Sequence, residues 1–188
     1  MSVDSTAQIH PSAVIEPGAR IGAGCEIGPF CWIGAHVELA ENVVCTSHVV
    51  IRGQTKVGSD TRIFSFAVIG EIPQDLKFKG EVSQLEIGQR NTIREHVTIN
   101  LGTQGGGGVT SIGDDCLLMA GCHIAHDARL GNRVIIVNSA AIAGHVVIED
   151  DVIVGGLCGV HQCVRLGKGA SIGAVTIVTN DVIPYGLV

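Results

Sequence analysis

Four of the chain's eight histidines lie between residues 123 and 161, next to groups able to move protons. The string Cys122-His123-Ile124-Ala125-His126-Asp127 holds two imidazoles and a carboxylate, and His145 and His161-Gln162 follow. His126, Gly144 and Gln162 are spaced eighteen apart, as are Asp127, His145 and Cys163. If residues eighteen apart stack on neighbouring strands, about 4.8 Å separates them. His126 then lies against the Gly144 backbone, and Asp127 against His145. A base, a backbone N–H and a carboxylate beside an imidazole are the parts acyl transfer requires. A metal site is the competing reading, since imidazole is a common ligand. His10, His36, His48 and His96 read as turn residues, the last three at one repeat position without a partner.

The elements that must position these residues follow from a period of six. An aliphatic residue recurs at Ile9, Ile15, Ile21, Ile27, Ile33 and Leu39, then at Ile51, Val57, Ile63 and Ile69, with Cys45 between. The frame resumes in phase at Ile87, Ile93 and Ile99. After a slip of one residue it runs from Ile112 to Val178. Six residues turn an α-helix by about 600°, so no helical stripe keeps that period. A strict hexapeptide repeat predicts an all-β parallel β-helix. The fourth residue after each aliphatic is also small or apolar, as at Cys25, Cys31, Cys116, Cys122 and Cys158, so the cysteines read as small inward hydrophobes rather than a disulfide or metal set.

One domain over residues 1–188 is expected, interrupted by extruded loops at 71–86 and 104–111. The second carries the run Gly105 to Gly108 and reads as a flexible surface loop, since no phosphate-binding Lys-Ser/Thr follows it. The 26 glycines and 3% aromatics suit short strands and tight turns. A net charge of −6 argues against nucleic acid. No apolar run is long enough for a membrane span, and no leader is visible, so a cytoplasmic location is expected.

The strings Ile27-Gly28-Pro29-Phe30-Cys31, Gly70-Glu71-Ile72-Pro73-Gln74-Asp75-Leu76-Lys77, His123-Ile124-Ala125-His126-Asp127, Ala143-Gly144-His145 and Val160-His161-Gln162 resemble the acyl-carrier-protein-dependent UDP-N-acetylglucosamine O-acyltransferases of lipid A synthesis. The resemblance runs over essentially the whole chain. It implies a left-handed β-helix with three hexads per triangular coil, and a homotrimer with sites between subunits. It implies transfer of an (R)-3-hydroxyacyl group from acyl carrier protein to the glucosamine 3-hydroxyl of UDP-N-acetylglucosamine. His126 matches the general base, Asp127 its support and Gly144 the oxyanion donor. His123, His145 and Gln162 match the sugar and acyl site, and His161 lies beside the pantetheine path. Asp75 and Lys77, on a neighbouring subunit's loop, match the sugar-nucleotide contacts. Ala174 matches the position that limits acyl length. No metal and no cofactor is implied beyond the carrier's own phosphopantetheine arm.

The chain departs from the pattern in two places. Asn100-Leu101 stand where the family commonly has a basic residue before Gly-Thr, and the family's usual C-terminal helical domain is not expected within these 188 residues. Arg129, Arg165, Arg133 and Lys168 are candidates for docking an acidic carrier. Other hexapeptide-repeat acyltransferases and a truncated non-catalytic β-helix trimer are the alternatives. A zinc anhydrase on this fold would need histidines five apart, and no two are.

Overall fold

The computed structural model describes residues 2–188. The chain winds into a left-handed parallel β-helix of triangular section. Its three faces are nine-stranded parallel sheets. The first face starts at Ser2–Val3, the second at Gln8–Ile9 and the third at Val14–Ile15. Most strands are two residues long, with one side chain out and one in. The inward residue is the aliphatic of the six-residue frame: Ile33, Ile51, Ile63, Ile93, Ile124 and Ile142 are all fully buried. β-Branched side chains pack well on a pleated surface, and each one buried contributes roughly 2 kcal/mol.

Position i+3 of each hexad makes the corner. It has positive φ at residues as unlike as Phe30, Asn42, Asp60, Arg90, Asp127 and His145. The left-handed region costs a non-glycine residue about 1–2 kcal/mol, and stacking along each corner offsets part of it. Between the first and second faces, Arg90 bonds Asp115 and Arg133 bonds Asp151. Between the second and third, Phe30, His48, Phe66 and His96 form a ladder of rings 4.9–5.1 Å apart. His48 and His96 are therefore not partnerless: each stacks on Phe66.

Small side chains at i+4 fill the apex inside each corner. Six of the seven cysteines are buried and only Cys163 is exposed. Burial pushes the thiol of Cys116 up to about 11 and that of Cys122 up to about 12. Polar residues at the apex are satisfied, as at Thr61, which accepts from the Asn91 N–H, and at Asn91, which donates to the Gly113 carbonyl and accepts from the Cys116 N–H.

Neighbouring strands are normally eighteen residues apart, as in Arg129↔Val147↔Arg165. Two coils are longer. Gln54 pairs with Gln84, thirty residues on, and Gln84 with Val109, twenty-five on. The first excess is two whole hexads, which is why the frame returns in phase; the second is a hexad and one residue, which is the slip. The strands flanking these excursions are longer than the frame suggests. Val68–Glu71, Gln84–Ile87 and Val109–Ile112 take in both ends of the expected 71–86 loop and the end of the 104–111 loop. Backbone pairing with adjacent coils extends them beyond what hydrophobic period alone can register. Both excursions leave the third face and re-enter the first, so they open at the same corner as Asp127 and His145.

Candidate active site

His126 and Asp127 sit on the turn between the strands His123–Ile124 and Arg129–Leu130. His126 Nδ1 lies 2.8 Å from Asp127 Oδ2, and the two side chains are 9% and 0% exposed. A carboxylate only accepts, so Nδ1 carries the hydrogen, and in the neutral imidazole Nε2 keeps a lone pair. One coil on, the Gly144 Cα faces the imidazole. A Cβ there would stand 2.7 Å from His126 Cε1 and 2.8 Å from Nε2. Among the described residues no acceptor takes the Gly144 N–H. His145 donates its backbone N–H to the His126 carbonyl at 3.1 Å. Its ring meets that of His126 edge-on at 5.1 Å, and its Nε2 is 3.9 Å from Asp127 Oδ2.

Asp127 is held by groups not singled out in the sequence. The Thr103 N–H donates to Oδ1 at 2.9 Å and the Thr103 hydroxyl to Oδ2 at 2.7 Å. The Asp127 N–H donates to Thr110 Oγ1 at 2.8 Å. The glycine run between these threonines is not a free surface loop: a Cβ on Gly106 would collide with the carboxylate. The frame slip beside four glycines was the only sign of this in the sequence. His123 is fixed by Thr98, whose hydroxyl lies 2.7 Å from Nδ1. Burial, and then the charge of His126, hold the His123 imidazole below its ordinary range.

From His126 an apolar trough of about 440 Å³ runs along the third face. Its floor is the outward column His123, Ala141, Gly159 and Ile177, in register one coil apart. Gln74, Asn100, His161 and Gln162 supply polar groups at its edges. Ala174 is exposed on the preceding corner and does not line the trough of a single chain; Ile177 closes it. A second groove, about 670 Å³, lies over His145 and is lined by Asp75, Lys77, Phe78, Thr103 and Gln104. Within one chain the first excursion thus already brings Asp75 and Lys77 beside His145, because both excursions share its corner. Asn100 donates to the Glu71 and Ile72 carbonyls at the root of that loop, and Leu101 is buried.

The donor atoms of His126, Asp127 and His145 lie within 4.8 Å of one another, a spacing open to a metal. Asp127 Oδ2 already accepts from the Thr103 hydroxyl and from His126, and Oδ1 from the Thr103 N–H, so these bonds occupy three of the four lone pairs of the carboxylate. Of the four candidate docking cations, three are paired: Arg133 with Asp151, Arg165 with Glu149, and Lys168 4.0 Å from Asp151. Arg129 is left. No helix among the described residues is long and apolar enough to cross a membrane.

Known proteins resemble this chain in sequence and fold. The model of the bacterial transferase hexapeptide (six repeats) matches residues 4–35, 12–47 and 110–144. The acyl-[acyl-carrier-protein]–UDP-N-acetylglucosamine O-acyltransferase of Paracoccus denitrificans is 71% identical over 126 residues, 67% of this chain and 48% of the relative. A crystal structure of a UDP-N-acetylglucosamine acyltransferase is 46% identical, with a TM-score of 0.88, over 100% of this chain and 70% of the other. The UDP-N-acetylglucosamine acyltransferase of Campylobacter jejuni is 43% identical with a TM-score of 0.92, over 96% and 70%. The chain spans about half the length of the curated relatives it matches. The chain belongs to the UDP-N-acetylglucosamine acyltransferase family of hexapeptide-repeat proteins.

Proposed function

We propose that this chain transfers an (R)-3-hydroxyacyl group from acyl carrier protein to the 3-hydroxyl of the glucosamine of UDP-N-acetylglucosamine. It acts in the cytoplasm as a homotrimer, with no cofactor beyond the carrier's phosphopantetheine arm. The observation that carries the reading is the His126–Asp127 pair, bonded at 2.8 Å at the head of an apolar trough and faced by the Gly144 backbone. The names of the relatives supply the substrates.

In this reading the sugar lies in the groove beside His145, Asp75 and Lys77, and the acyl chain lies over Ala141 and Gly159. His126 Nε2 takes the proton of the sugar hydroxyl as its oxygen attacks the thioester carbon. Such base catalysis is worth ~10²–10⁴-fold. The carbonyl oxygen gains negative charge and accepts the Gly144 N–H, a donor worth roughly 10²–10³-fold. The tetrahedral intermediate collapses, the C–S bond breaks, and the thiolate takes the proton held on His126. The ester and the free carrier thiol leave. Asp127 holds the ring in the productive tautomer and stabilises the imidazolium between the two transfers.

The test incubates UDP-N-acetylglucosamine with 3-hydroxyacyl carrier proteins of several lengths, comparing the native chain with His126→Ala. Transfer by the native chain and a fall of at least ~10²-fold in the variant are expected. Equal rates would remove His126 from the chemistry. No transfer by the native chain at any length would remove the function.

A further inference from the structure

We propose that the excursion from Thr103 to Thr110 is a clamp that holds the Asp127 carboxylate against His126 and so fixes how basic that imidazole is, with Thr103 as the positioning residue. The clamp deepens the acyltransferase reading, on which it rests only for what His126 does next.

Other aspartates at the same corner position show what the clamp adds. The carboxylates of Asp115 and Asp151 also follow a positive-φ turn, and they are 41% and 39% exposed. The Asp127 carboxylate is 0% exposed. The φ is similar in all three, but Asp115 and Asp151 stand between the first and second faces, whereas Asp127 stands at the corner where the added length between Asn100 and Val109 emerges. Thr103 leaves the third face just before it and reaches Asp127 with both its N–H and its hydroxyl. The chain then turns back on itself, with the Gly106 and Gly108 N–H groups donating to the Thr103 carbonyl. That turn seats Gly106 directly on the carboxylate, where no side chain fits. Thr110, at the far end, accepts the Asp127 N–H. Both ends and the middle of one short excursion therefore bear on one residue.

A buried carboxylate is tolerated when its oxygens are bonded. Hydrogen bonds to a carboxylate favour its charged form. Here they also aim Oδ2 at His126 Nδ1. The Thr103 hydroxyl and the imidazole share that oxygen, so the hydroxyl draws off charge that the imidazolium would otherwise feel. The other groups facing His126 are His145, edge-on, and His123 across the trough, while Asp75 and Lys77 lie beyond His145. Of these only His145 approaches Thr103's bonds, its Nε2 3.9 Å from the Oδ2 that accepts the Thr103 hydroxyl, and a change at 103 reaches His126 through Asp127.

Thr103→Val keeps the shape and removes the hydroxyl. The ring of His126 is followed by NMR titration in the full chain, alongside the pH profile of kcat/KM. The expected result is a rise of about half a pH unit or more in the imidazole titration and in the acid limb, restored by Thr103→Ser. In Gly106→Ala the displaced carboxylate loosens its bond to Nδ1, and the imidazole titrates lower. A destabilised fold would lower the amplitude of the rate without moving either curve. An imidazole titration that stays put or falls in Thr103→Val overturns the clamp; if that variant does not fold, a titration that stays put or rises in Gly106→Ala does. If the imidazole shifts as expected while the native chain transfers no acyl group, the clamp stands and the acyltransferase reading falls.

Discussion

Gly144→Ala probes the contact on which the site depends. Gly144 is not at a positive φ, so alanine meets no backbone penalty there. The cost lies in the methyl group, which would stand 2.7 Å from His126 Cε1. Carbon atoms rest about 3.5–4.0 Å apart, so the ring must retreat by about 1 Å. It cannot retreat freely, because Nδ1 is tied to Asp127 and the side chain is buried. A misplacement of that size costs about 10²-fold in rate, or about 2.7 kcal/mol in the barrier. Overpacking should cost stability about 1–3 kcal/mol as well, so kcat is read on folded protein, with the melting temperature measured in parallel. The decisive comparison is a double-mutant cycle. If the methyl acts by displacing the imidazole, Gly144→Ala in a His126→Ala background loses little further rate. A single variant turning over within about threefold of the native chain, or full additivity in the cycle, would refute the reasoning.

Four further outcomes follow from the geometry. In the native state one thiol of seven, Cys163, reacts with an exposed-thiol reagent, and the other six react only on unfolding; early labelling of a second would mean the apices are open. His123 titrates below its ordinary 6.5 when folded, so the unfolded chain binds the extra proton. Stability should therefore fall as pH drops from about 6.5 through the folded value. Urea midpoints of His123→Gln should show a shallower fall, and an identical slope would exclude His123. Ile177 closes the trough while Ala174 lies outside it, so Ile177→Gly should lengthen the preferred acyl chain more than Ala174→Gly. The reverse ranking on a carrier panel would place the limit outside the single chain's trough. Arg129→Glu should raise KM for an acyl carrier protein several-fold at low salt and leave kcat unchanged, whereas an unchanged KM would end its docking role.

The repeat made most of the fold legible. Twenty-five aliphatics at twenty-six frame positions, with small residues at i+4, leave one way to bury both columns. The stacking of Asp127 beside His145 and of Gly144 beside His126 followed once eighteen residues made a coil. Thr98, Thr103 and Thr110 were not legible, because a threonine on a short strand or at a turn looks like any other polar residue of the repeat. The glycines at 105–108 were visible, but not that one of them lies on a carboxylate. His48 and His96 looked solitary because their partners, Phe30 and Phe66, are a full coil or more away in the chain.

By itself the sequence determined the period, and with it the inward columns, the corners and the coil length, since these depend only on which residues can bury together at a spacing of six. It also determined which imidazoles could meet. The tertiary structure decided where the two interruptions emerge. Excess length in a coil can leave the prism at any corner, and only strand pairing, set by backbone hydrogen bonds between turns, fixed both at the corner of Asp127 and His145. That placement puts Thr103 and Gly106 on a buried carboxylate and lines one groove with Asp75, Lys77 and His145.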